Sequence, residues 1–156
     1  MERRELSDGF VLTDGKNVLT IRRPAPHIEL IRCEGHARAA HIDLVLENRE
    51  TIVAECGRIA LFDDLEEMNG YDSGVRLKLT DWGKKHLGQI VAFHILTRSR
   101  LVAMGVTVAN LALGGHIQAH TQRRAFEEAL RQEVARSTSS GHWSTADAPA
   151  TKKKSS

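Results

Sequence analysis

Gly57-Arg58-Ile59-Ala60-Leu61-Phe62-Asp63-Asp64-Leu65, followed by Gly70-Tyr71-Asp72-Ser73-Gly74-Val75, is the stretch that decides the fold. Arg58–Phe62 is short and apolar, as a buried strand should be. Asp63 to Glu67 then reads as an acidic loop. A helix opens at the Asp72-Ser73 pair, and Val75, Leu79, Trp82 and His86 recur on one face of it until Gly88. In α/β sheets, loops leaving the carboxyl ends of strands are where ligands and partners dock. Asp63, Asp64, Asp72 and Ser73 are therefore the first candidate contact residues.

Upstream, Phe10–Thr13 and Val18–Arg22 are strand-like, and Asp14-Gly15-Lys16-Asn17 between them carries a hairpin-type turn signal. Ile28–Cys33 is a further strand. From Ala37 to Glu55 the period becomes helical: Ile42, Val45, Leu46, Ile52, Val53 and Cys56 share a face, and Gly57 suits the position just past the helix end.

Downstream, Ile90–Leu96 is a continuous apolar run of strand length, expected of a central parallel strand covered on both sides. Ser99 is placed to cap a third helix, Arg100 to Leu113, ended by Gly114-Gly115. A brief strand at His116–Ala119 leads to a last helix, Thr121 to Arg136. The order β-β-α-β-α-β-α-β-α predicts an α/β fold: a mostly parallel mixed sheet with about four helices and an N-terminal antiparallel hairpin. The expected boundaries are a flexible N-terminus over 1–9, one domain over 10–136, and a disordered Ser/Thr/Lys tail over 137–156.

Composition narrows the function. Lys152, Lys153 and Lys154 against Asp147 account for the formal +2, so residues 1–136 are neutral with mixed signs. That gives no electrostatic footprint for nucleic acid. Cys33 and Cys56 are the only cysteines and have no zinc-ligand spacing, which suits a reducing compartment. With no apolar run of signal-peptide or membrane-span length, a cytoplasmic location is expected, with no transmembrane segment.

No Ser-His-Asp, Cys-His or paired-carboxylate arrangement is visible, so an enzyme is not expected, and no cofactor is called for. The acids at Asp63, Asp64, Glu66 and Glu67 lack the spacing of a calcium loop and read as a solvated, partner-facing surface. His116 and His120 sit four apart across a strand-to-helix junction with no third ligand, so no metal site is expected. His86 and His94 lie within apolar patterns and read as packed residues.

The element order and the Asp72-Ser73-Gly74 helix start together resemble the STAS domain, the fold of SpoIIAA-like anti-sigma factor antagonists. The resemblance covers roughly residues 16–136. In that family a strand and loop lead to Asp-Ser-Ser/Thr-Gly opening a helix, and the first Ser accepts phosphate from a partner kinase. Asp72 and Ser73 match the first two positions, and Gly74 matches the Gly with one position missing. The Gly70-Tyr71-Asp72 approach and the longer acidic loop look more like the divergent SpoIIAA-like branch. There the phosphoacceptor is often not evident, and some relatives of the fold bind lipids in a groove.

The resemblance implies a regulatory protein as partner, such as a kinase or an anti-sigma-like factor, with Ser73 at the contact loop. Two readings of Ser73 stay open: a phosphoacceptor, or with Asp72 a plain cap of the second helix contributing about 1 kcal/mol. The third helix adds another contact candidate. Leu101, Val102, Met104, Val106, Val108, Ala109, Leu111 and Leu113 surround nearly the whole cylinder. Such a helix is buried on both sides or meets a partner. Leu101, Val102 and Val106 are its candidate interface, for a homodimer or another protein. A small apolar or lipid-like ligand held in a groove beneath it is the alternative.

Overall fold

The computed structural model describes the backbone of residues 1–153 and the side chains of residues 1–139. Strands β1 (Glu2–Leu6), β2 (Gly9–Asp14), β3 (Asn17–Ala25) and β4 (Ile28–Ala37) form an antiparallel meander. Beyond it the sheet turns parallel: β5 (Ile59–Leu65) pairs with β4, β7 (Ile90–Thr97) with β5, and β8 (Gln118–His120) with β7. Strand β6 (Met68–Tyr71) also runs parallel to β4, continuing the line of β5 after a break at Glu66-Glu67.

Helices α1 (Ala39–Cys56), α2 (Val75–Lys85) and α3 (Arg100–Ala112) fill the connections, and α4 (Arg123–Lys153) follows β8. The mixed α/β sheet with four helices and antiparallel N-terminal strands is the fold the element order predicts. Gly57 ends α1 at φ 72°, its N–H bonding Val53 O at 2.8 Å. A left-handed residue there satisfies a carbonyl the helix leaves unpaired, and glycine takes that conformation without strain. Ser99 caps α3, accepting from Val102 N at 3.4 Å.

Strand alternation sends β5 side chains to two separate cores. Ile59 and Leu61 pack with Ile52, Trp82, Phe93 and Ile95 under α1–α3. Ala60 and Phe62 pack with Ile28, Leu96 and Phe126 under α4. A third cluster, including Leu12, Leu19, Ile31, Val45 and Val102, extends the α1–α3 layer over the meander. Each fully buried Leu, Ile or Phe contributes about 1.5–3 kcal/mol of transfer free energy. Two-sided burial holds from Phe93 to Thr97, while Val91 at the start of the apolar run is 50% exposed.

Two expected boundaries are corrected. The 1–9 segment is not a frayed end, because β1 pairs in register with β2 from Glu2↔Thr13 to Leu6↔Gly9. Its polar side chains stay exposed, so backbone hydrogen bonds and Arg3 stacked 3.8 Å over the Phe10 ring hold it. The last helix does not stop at Arg136. No Gly or Pro follows until Gly141, and the helix runs on through Thr138, whose hydroxyl bonds Val134 O. The rest of the expected disordered tail lies outside the described side chains, and 154–156 lie outside the described residues. Among the described residues no helix is long and apolar enough to cross a membrane.

Candidate functional site

Only Glu66 and Glu67 of the acidic stretch form a turn. Asp63 and Asp64 belong to β5 and are 7% and 5% exposed, so neither is a surface contact residue. They point to opposite faces of the sheet and find different cations. On the α1 side, the buried Arg49 gives Nε to Glu29 Oε1 at 2.7 Å and Nη2 to Asp63 Oδ1 at 3.4 Å. Asn48 Nδ2 bonds the other oxygen of Glu29 at 2.7 Å. Burial pushes the Asp63 carboxyl up to about 6, against the lowering pull of Arg49. On the α4 side, Asp64 accepts from Arg123 Nη2 at 2.8 Å and from Arg32 Nη1 at 3.1 Å. Glu66 accepts from Arg123 Nε at 2.9 Å. Among the described residues no cluster of His, Cys, Asp and Glu is placed to hold a metal.

Arg49 was legible in one respect. It sits in the apolar stripe of α1, between Leu46 and Ile52, where a cation must be paired or extended to solvent. The pairing partners, 20 and 14 residues away in sequence, gave no local signal.

The Asp72-Ser73 pair also departs from expectation. The residue before α2 is Gly74, at φ 91°, and no side chain caps the helix. Asp72 turns instead to α1, where its Oδ2 accepts from Ala39 N at 2.9 Å. Its Oδ1 lies 2.8 Å from His36 Nε2. The Ala39 amide first, then His36, holds this carboxyl below its usual range. Asp72 thus caps the neighbouring helix. Ser73 is exposed.

Helix α3 has two apolar faces, and the sequence placed them wrongly in part. Val102 is 2% exposed and Val106 is half-buried, both packed inward. The outward face is Leu101, Met104, Val108 and Leu111, exposed by 54, 67, 47 and 79%. Their spacing puts all four on one stripe. Gly105 lets the inner face approach β6: a Cβ there would stand 2.6 Å from the Tyr71 hydroxyl.

Beneath the inner face lies a cavity of about 110 Å³, walled by α1, α2, α3 and the sheet. Its lining is almost wholly apolar, with Ile31, Val45, Leu65, Val102, Val106 and Ala109 among its residues. Six polar residues interrupt it: the paired Arg49 and Asp63, and His41, Tyr71, Arg76 and Thr80. The thiol of Cys33 is also on this wall, and burial pushes it up to about 12, so it is an inert small hydrophobe.

His86 and His94 are packed, while His116 is exposed. His94 lies against the Phe62 ring, centroids 4.8 Å apart, and its Nδ1 is 2.9 Å from His120 Nε2. Burial first, then the neighbouring His120, lowers the His94 pKa. His86 stacks on Trp82, and its Nδ1 is 3.0 Å from Trp82 O.

No family model matches the chain, and no curated protein matches it. A solved structure does. It is an uncharacterized protein of the DUF3478 family with a SpoIIAA-like fold, from Shewanella loihica PV-4. The two share 16% identity over 76% of this chain and 98% of the other, with a TM-score of 0.57. At that identity the likeness bears on fold alone, and the fold of this chain is SpoIIAA-like.

Proposed function

We propose that the protein is a non-enzymatic, STAS-like regulatory module that works by binding another protein through the outer face of α3. The observation that carries this reading is the stripe Leu101, Met104, Val108 and Leu111, each about half exposed or more. Contiguous exposed apolar surface on a globular domain normally marks a contact. Residues 74–116 carry Arg76, Lys78, Lys84, Lys85, Arg98 and Arg100 against Asp81 as their only acid. The partner surface that fits is an apolar groove with an acidic rim. A kinase or anti-sigma-like factor is the partner class that the fold resemblance suggests.

Ser73 stands two residues after Tyr71, on which α3 rests, so it is the natural point of control. Phosphate there would add up to two negative charges at the positive end of α2, beside the contact.

The test is Met104→Arg, a substitution of an outward side chain. The variant should keep the melting temperature of the parent and lose partners that crosslink to the parent in its native host. Light scattering on both proteins separates a homodimer from a different partner. An unchanged set of crosslinked partners, with parent and variant in the same oligomeric state, would remove the reading.

The cavity favours a second reading, in which the module carries a small apolar ligand beneath α3. The two readings are compatible, because the same helix that covers the ligand presents the contact stripe.

A further inference from the structure

We infer that the surface meeting the outer stripe of α3 is the same stripe of a second copy, packed antiparallel about a two-fold axis. The inference rests on the contact reading above and names the partner.

The stripe is self-complementary in spacing. Leu101, Met104, Val108 and Leu111 follow one another at three, four and three residues, the a/d period of a two-helix seam. At 3.6 residues per turn they fall within about 80° of arc. Antiparallel pairing sets Leu101 of one copy beside Leu111 of the other, and Met104 beside Val108, so a single patch serves both subunits. The flank does not interfere. The Thr107 hydroxyl, exposed beside the stripe, is already bonded to Ala103 O at 3.0 Å.

Charge points the same way. No Asp, Glu, Lys or Arg occurs from Leu101 to Gln122, so the seam carries nothing that repels its own copy. Arg100 is exposed at the amino end of the stripe. The register that pairs the four apolar residues brings Arg100 to Ala112 of the second copy, the last residue of α3. That is the negative end of a helix, and a cation is favoured there. Under two-fold symmetry this match is made twice, so the second copy needs no acidic rim.

The bases of α2 stay out of the contact. A Cβ on Gly83 of α2 would stand 3.0 Å from Leu113, so α2 packs on the Leu113 side of α3. The centre of the stripe lies about 160° round the helix from there. Two α3 helices, each about 10 Å across, then stand between the α2 helices of the two copies. That separation exceeds the screening length of about 8 Å at physiological salt. One helix face buries less than the roughly 800 Å² per partner of a standard stable interface, so the pair exchanges with monomer.

Sedimentation equilibrium of the intact parent, from about 10 μM to about 1 mM, should show the average mass rising from one chain toward two. Met104→Arg sets two cations beside the axis and should stay at one chain throughout. Disulfide trapping in a Cys56→Ser background reads the orientation, Cys33 being buried. Leu101→Cys and Leu111→Cys chains should crosslink to each other when mixed and oxidised. Neither should crosslink to itself, because like positions lie about 15 Å apart along an antiparallel pair, beyond disulfide reach.

A parent that stays at one chain up to about 1 mM overturns the second copy as partner. The contact reading is then decided separately, by whether Met104→Arg loses the partners crosslinked in the native host. A dimer that persists in Met104→Arg also overturns the inference, because its interface lies elsewhere. Self-crosslinking of Leu101→Cys overturns the antiparallel packing. The parent measurement needs no variant, so it stands even if a substituted chain fails to fold.

Discussion

Adjacent acids of β5 face opposite sides of the sheet, and the two sides treat them differently. Under α4, Asp64 meets Arg123 and Arg32, and His27 Nε2 lies 2.7 Å from Glu133 Oε2. Phe126 closes edge-on against Phe62, ring centroids 5.9 Å apart. Among the described residues, every fully buried side-chain polar atom on that side is partnered. Under α1–α3, Asp63 meets a buried arginine, yet a cavity and two unpaired polar atoms remain nearby. The first side is built for stability. The second is less tightly packed and less fully paired.

The sharpest way to break that contrast is at Arg49. Its guanidinium is 1% exposed and neutralises Glu29, which is fully buried, as well as Asp63. Arg49→Met leaves two carboxylates in a low-dielectric interior with no counter-charge. The expected loss is about 3–5 kcal/mol, read from urea denaturation. Adding Glu29→Gln and Asp63→Asn to the same chain removes the stranded charges and should recover much of it. A single variant that unfolds like the parent would mean that the Arg49 group does not hold this face together.

How much of this was readable beforehand differs by element for physical reasons. Gly57, the Asp14–Asn17 turn, the Ser99 cap and the Ile90–Leu96 run act through their own neighbourhood, so sequence shows them. Asp63 and Asp64 look solvated because charge usually is. Their burial depends on Arg49 and Arg123, 14 and 59 residues away. Strand β1 is polar because only its backbone is used, and β6 is four residues with a glycine, too short to show a period. The inward and outward faces of α3 could not be told apart because both are apolar. Asp72 was read as belonging to α2, since nothing in sequence shows that it reaches back 33 residues to Ala39.

A smaller effect separates the two faces by pH. His94 and His120 pack against Phe62 and Phe126 on the α4 side, and both are lowered from the ordinary histidine value, His94 by burial and then by His120, His120 by burial. The unfolded chain therefore binds protons first as pH falls through about 6.5. Stability is fully present above that pH and declines below it, toward the lowered folded values. Asp63 works with the opposite sign. Its folded value of about 6 exceeds the unfolded one, so its penalty is relieved as pH falls below about 6. In denaturation between about pH 7 and pH 8 Asp63 stays largely ionised and the histidines dominate, His41 on the other face among them; substitution separates the pair. The parent should lose stability toward the acidic end, and His94→Phe should show a shallower slope. Equal slopes would place the titration elsewhere.

The smallest expected effect is at Ser73. As a cap of α2 its hydroxyl would be worth about 1 kcal/mol, and Ser73→Ala would lose that much. The structure gives the cap position to Gly74 and leaves the serine exposed. Replacement by Ala should then change stability by no more than about 0.5 kcal/mol, the range of an ordinary surface substitution. Asp72→Ala is the informative partner. It removes the carboxylate that accepts from Ala39 N and faces His36, so it should cost α1 a cap, about 1 kcal/mol. If Ser73→Ala costs as much as Asp72→Ala, the serine is a structural cap and its proposed place as a control point loses its basis. If only Asp72 matters to stability, Ser73 is free to change without disturbing the fold. Ser73→Glu should then leave the melting temperature alone and act only on whatever meets α3.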